Sequence, residues 1–177
     1  MDDGTRDSGF GVRPSSDLRI PNPKSRIPAL ALATALGVGY APVAPGTCGS
    51  AVGLLLWAVL PASTLVQASV IIGLFAAGSW SAGVAERHFG RTDPGQVVVD
   101  EVMGMLITLF LNPVGWVGAL AAFFLFRLAD VIKPYPANRL EQLHGGVGVI
   151  ADDAMAGIYA NLALRALIWL FGHLVIW

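Results

Sequence analysis

The stretch FRLADVIKPYPANRLEQLHGGVGVIADD, residues 126–153, decides how this chain is read. Asp130, Lys133, His144, Asp152 and Asp153 all fall in it, and the sequence on both sides is almost uniformly apolar. Residues 27–85 contain no Asp, Glu, Lys or Arg, and residues 102–126 form a second uncharged run. Such runs read as membrane spans, because about 20 apolar residues cover a hydrocarbon core. Charge at the edge of a bilayer is costly, so it marks function more often than decoration.

Composition agrees. The chain has 177 residues, enough for one membrane domain over residues 27–177. A mean hydropathy of +0.65 with 13% charged residues is far from the balance of a soluble protein. A net charge of −1 supplies no basic field for nucleic acid. The one cysteine, Cys48, excludes an internal disulfide framework and reads as a packing residue. Residues 1–26 are rich in Asp, Gly, Ser, Pro and Arg and read as a disordered tail. Arg19, Lys24 and Arg26 precede the first apolar run, which puts this tail in the cytoplasm by the positive-inside rule.

Moving outward from the opening stretch, the chain reads as helices joined by short breaks. Residues 28–36 form a short helix. GVGYAPVAPGTCGS, residues 37–50, reads as a loop, since glycines and prolines crowd it. Residues 51–60 and 65–84 follow as helices, then the polar loop ERHFGRTDPGQ, residues 86–96. Helix resumes over 100–111, breaks at Asn112-Pro113, and returns over 114–129. Residues 137–143 suit a short interfacial helix, Gly145-Gly146 a flexible joint, and residues 152–177 a final helix with Trp169 and Trp177 at an interface. The 100–111 helix is about 18 Å long at 1.5 Å per residue, short of a core about 30 Å thick, so it dips or packs behind others. The expected fold is all-α: a multi-helix integral membrane bundle with re-entrant or short helices and a one-sided polar site. Hairpin connections return 37–50, 86–101 and 127–153 to one face, that of the basic tail.

The acids admit two readings. Asp100-Glu101 and Asp152-Asp153 suit helix N-caps with acidic first turns. Asp130 lies near a helix C-terminus, where the dipole disfavours it, with Arg127 at i−3 and Lys133 at i+3 as simple partners. Taken together, Asp100, Glu101, Asp130, Asp152 and Asp153 come from three helix ends on one face. Grouped carboxylates repel unless a cation sits among them, and all-oxygen ligands fit a hard ion, Mg²⁺ before zinc. Mg²⁺ keeps open positions that suit phosphate oxygens. Lys133 is then a point charge for phosphate, and Thr47 and Ser50 offer hydroxyls and backbone N–H groups to it. Asp93, before Pro94-Gly95, is a turn residue or a supporting acid, and His144 is structural or a general acid.

At these residues the chain resembles the phosphatidylglycerophosphatase A family. The stretches that carry the resemblance are GVGYAPVAPGTCGS, DPGQVVVDEVMGM, FRLADVIKPYP and HGGVGVIADDAMAGIYAN, covering most of residues 37–161 in the family's order and spacing. The resemblance implies a multi-pass, Mg²⁺-dependent membrane phosphatase that converts phosphatidylglycerophosphate to phosphatidylglycerol on the cytoplasmic side of a bacterial inner membrane. It implies Asp100, Glu101, Asp130, Asp152 and Asp153 as the metal-linked set. Lys133, Thr47 and Ser50 match motif positions expected to face phosphate, and the catalytic set expected is Asp130, Asp153 and Lys133, with Asp130 or Asp153 taking the proton of a water. The partners implied are a phosphorylated glycerophospholipid and the surrounding membrane lipids. Residues 1–26 exceed the family pattern and receive no role.

Three other classes fit the sequence less well. A CDP-alcohol phosphatidyltransferase also uses metal-bound aspartates, but its DGxxAR…GxxxDxxxD pattern is missing. A small ion or proton carrier would place acids along a path through the span, whereas these gather on one side. A membrane scaffold does not account for so many acids at one depth.

Overall fold

The computed structural model describes residues 23–133, 135 and 145–175. Among them are six α-helices and one 3₁₀ turn, with no strand: α1 (Pro23–Ala33), the turn Val38–Tyr40, α2 (Pro45–Val59), α3 (Thr64–Phe89), α4 (Val99–Leu109), α5 (Trp116–Ile132) and α6 (Gly146–Val175). The all-α expectation is met.

The shortest of the later helices is the centre. α4 packs against α2, α3, α5 and α6. Met103, Met105, Leu106, Thr108 and Leu109 on it are all buried. At 11 residues it is about 16 Å long and cannot cross a bilayer; it packs behind its neighbours, one of the two outcomes expected. Its C-terminal carbonyls need partners. Asn161 on α6 supplies them, donating from Nδ2 to the carbonyls of Ile107, Thr108 and Phe110 at 2.8–3.0 Å. Close approach of α4 to α6 and α5 depends on Gly104. A Cβ there would meet the Phe126 ring at 2.5 Å and the Asp153 carbonyl at 2.9 Å.

Two helices form the membrane-length frame. Thr64–Phe89 and Gly146–Phe171 are long and apolar enough to cross a membrane. Only 33% and 22% of their most apolar windows are buried inside the protein, so most of each surface needs another apolar medium. Ile72 and Trp80 on α3, and Leu162 and Trp169 on α6, point outward. Such a sheath fits lipid rather than water.

Several boundaries differ from the sequence reading, each for a physical reason. α1 starts at Pro23 and stops at Ala33. α2 starts at Pro45, so Thr47 and Ser50 lie in a helix and not in a loop. Proline is well suited to the first helical position. The glycines that suggested a loop serve packing: Cβ atoms at Gly49 and Gly53 would press on Val98 and Val102 at the start of α4. α3 continues through Glu86, Arg87 and His88 to Phe89 and ends on Gly90 at φ 68°. α5 runs to Ile132, past Asp130. α6 opens at Gly146, so Asp152 and Asp153 lie in its second turn and are not caps. Gly146 is no joint: it lies against the backbone of Ser79 and Gly83 on α3, leaving no room for a side chain. The expected interfacial helix at 137–143, His144, Trp177 and nearly all of the 1–26 tail lie outside the described residues.

Candidate active site

The N-terminal ends of α2, α4 and α6 and the C-terminal end of α5 meet around a pocket of about 240 Å³. One wall is Ala44, Pro45 and Gly46, ahead of and within the first turn of α2. A second is Asp93, Gly95 and Val97, with Asp100 and Glu101 of α4 beyond them. The rest is Arg127 and Asp130 of α5, Lys133 just past its end, and Asp152 and Asp153 of α6. The three segments expected on one face therefore line one space.

Its acids divide by surroundings. Asp100, Glu101 and Asp153 each bring one carboxylate oxygen within 4.8 Å of the others. Asp100 and Asp153 are buried, and Glu101 nearly so, with its Oε2 lacking any hydrogen-bond partner. Asp130 and Asp152 each hold a cation instead. Arg127 Nη1 lies 2.6 Å from Asp130 Oδ2, and Lys133 Nζ lies 2.7 Å from Asp152 Oδ2. Asp152 Oδ1 also accepts from the Asp153 backbone N–H at 3.0 Å, which ties the two acids of α6 together.

The trio is costly when bare. Two unit charges about 4.8 Å apart repel by about 3 kcal/mol at an effective dielectric near 20. Burial pushes the Asp100 carboxyl well above the usual range, and the neighbouring Glu101 charge pushes it further. Burial raises Glu101 as well, partly offset by its hydrogen bond with Asp100. Three buried carboxylates with a partnerless oxygen need protons or a cation. The donors are all oxygens, which suits a hard divalent ion and not a thiophilic one. The residues present therefore fit a metal of that kind.

Neither Thr47 nor Ser50 is among the residues that line the pocket. Thr47 follows Gly46 in the first turn of α2 and is half-buried. Ser50 is fully buried, donates to the Gly46 carbonyl at 2.9 Å, and accepts from Arg127 Nη1 at 3.4 Å. Two participants carried little weight in the sequence. Arg127 reads there as a mere partner of Asp130, yet it lines the pocket and reaches toward α4 and α2 as well. Arg127 stands three residues before Asp130, on the same face of α5, and that spacing is the signal that points to it. Gly46 gives no such signal, because its importance is the nearness of Glu101 and Arg127 to where a Cβ would sit.

An all-helical bundle sheathed in apolar side chains, with an acid-and-base pocket at one end, defines a membrane protein with a one-sided polar site. The chain belongs to the phosphatidylglycerophosphatase A family, whose family model matches residues 31–168. Three relatives have nearly its full length. A Bacteroides thetaiotaomicron protein, provisionally named a phosphatidylinositol-3-phosphatase, is 36% identical over 84% of this chain and 98% of its own. Proteins named phosphatidylglycerophosphatase A from Escherichia coli and Haemophilus influenzae are 31% and 35% identical, over 80% and 82% of this chain and 82% and 94% of theirs. No solved structure matches the chain at a significant level.

Proposed function

We propose that the chain hydrolyses the terminal phosphate of phosphatidylglycerophosphate, giving phosphatidylglycerol and phosphate, with Mg²⁺ as cofactor. The site works at the cytoplasmic face of a bacterial inner membrane that the chain crosses more than once. The observation that carries this reading is the buried trio of Asp100, Glu101 and Asp153 beside two cation-bearing residues in one pocket.

Asp100, Glu101 and Asp153 hold the ion, with Asp130 and Asp152 completing the acidic set around it. A bound Mg²⁺ supplies charge neutralisation at phosphate oxygens and acidifies water. Lys133 places a point charge against the phosphate. The first turn of α2, with Gly46 and Thr47, turns backbone N–H groups toward the same anion, and Ser50 keeps that turn in place through the Gly46 carbonyl. Asp130 takes the proton of the attacking water, and Asp153 joins it in the catalytic group with Lys133. The acyl chains remain among the apolar outer faces of the helices, so the headgroup alone enters the pocket.

The 36% identity to the Bacteroides relative supports a second reading, in which the phosphate is removed from an inositol headgroup. One assay separates them: phosphate release by purified protein from a panel of phosphorylated lipids, with Mg²⁺ and with chelator. Release from phosphatidylglycerophosphate, abolished by chelator and by Asp130→Asn, is expected. Preferential release from phosphatidylinositol 3-phosphate shifts the reading to the second substrate; release from neither overturns both.

A further inference from the structure

We propose that Arg127 binds the substrate's phosphate directly, exchanging its carboxylate partner for phosphate oxygens when the headgroup enters. The inference rests on the phosphomonoesterase reading above, and it assigns a second cation to the anion.

Two observations carry it. The first is position. Arg127 lines the pocket from α5, one turn before Asp130, with its side chain 21% exposed, so it is reachable from the pocket yet mostly out of water. Its Nη1 stands 2.6 Å from Asp130 Oδ2, 3.4 Å from Ser50 Oγ and 3.9 Å from Glu101 Oε1. Those contacts all run through one nitrogen, whereas a guanidinium is a fork of five N–H donors that matches two oxygens of a phosphate at once.

The second observation is the field around it. A Cβ on Gly46 would come 3.1 Å from Arg127 Nη1, so the guanidinium rests against the first turn of α2. That end of a helix is positive and disfavours a cation. An anion lodged between the two would be favoured by both. A general energetic argument agrees. Ion pairs taken out of water gain little net stability, and apolar replacements are often neutral or better. The pair with Asp130 is by itself a weak reason for a cation at the pocket wall.

Ser50 then acts through Arg127. Its hydroxyl donates to the Gly46 carbonyl and offers its oxygen to Nη1, so it braces the guanidinium from behind and is a positioning residue.

The probe is inorganic phosphate, added to the detergent-purified full chain in Mg²⁺, with thermal unfolding as the readout. Turnover of phosphatidylglycerophosphate is measured beside it. Phosphate should raise the unfolding midpoint of the wild type and of Asp130→Asn, since removing a negative charge does not weaken an anion site. Arg127→Met should lose that protection and lose about 100-fold in kcat/KM, the scale seen when one donor to a developing charge is removed. Arg127→Lys keeps the charge without the fork and should recover only part of the loss. If Arg127→Met does not fold, the Arg127→Met/Asp130→Asn double variant removes the pair together and should fold without phosphate protection. Protection retained in either Arg127→Met variant, or absent from the wild type, overturns the proposal. A wild type that phosphate protects but that hydrolyses no lipid in the panel counts against the proposed reaction and leaves Arg127 as an anion ligand.

Discussion

Gly46 sets how near α2 comes to Glu101. A Cβ at this position would collide with Glu101 Oε1, in a wall that also holds Arg127. Gly46→Ala should therefore displace a carboxylate of the trio while leaving the helix intact, since alanine is the better helix former by about 1 kcal/mol. The expected outcome is a loss of about 100-fold in phosphate release, the effect of a misplaced catalytic group of about 1 Å, with an unfolding midpoint within about 2 °C of the wild type. Equal turnover would show that the Glu101 carboxylate does not need its place. At this scale the acids were legible: Asp100, Glu101 and Asp153 are charges in apolar surroundings, and such charges need a reason. Arg127 was harder to read, because a partner at i+3 already accounts for it. Gly46 was illegible, because its role lies in a contact with a residue 55 positions away.

α4 is held at both ends by neighbours. Its N-terminal turn carries Asp100 and Glu101, and its C-terminal carbonyls are capped from α6 by Asn161. The same Asn161 receives Arg165 Nε at 2.9 Å through its Oδ1. Asn161→Ala leaves the Phe110 carbonyl short of a donor, while Ile107 and Thr108 keep the Phe110 N–H and Asn112 Nδ2, a cost of about 1–3 kcal/mol. Thermal unfolding in detergent should show a midpoint lower by roughly 3–10 °C. An unchanged midpoint would mean that α4 is not pinned from α6. The helices themselves were legible from apolar runs and breakers, but their ends were not. Pro45 and the glycines after it have the composition of a loop; only the close approach of Val98 and Val102 shows why a helix there carries glycine. Asp152 and Asp153 resembled caps because Gly145-Gly146 resembled a joint, whereas Gly146 is pressed on α3 and starts the helix six residues earlier.

Across the whole molecule, the polar chemistry is gathered at one end of an apolar bundle. Short α4 sits inside, and the membrane-length α3 and α6 carry the outer surface. This one-sidedness was legible from hairpin parity, since segments far apart in sequence return to the same face. The division of labour among the five acids was not, because it follows from distances: three oxygens within 4.8 Å of one another, and two carboxylates each spent on a cation. The central claim is that the trio holds a divalent ion. Its most direct measurement is Mn²⁺ binding by electron paramagnetic resonance to the purified full chain in detergent, with Mg²⁺ as competitor, in the wild type and in Glu101→Gln and Asp153→Asn. The account predicts Mn²⁺ binding that Mg²⁺ displaces and that each substitution weakens by at least about tenfold, the scale of one lost charged ligand contact. Equal Mn²⁺ affinity in all three proteins, or no binding in the wild type, would contradict it.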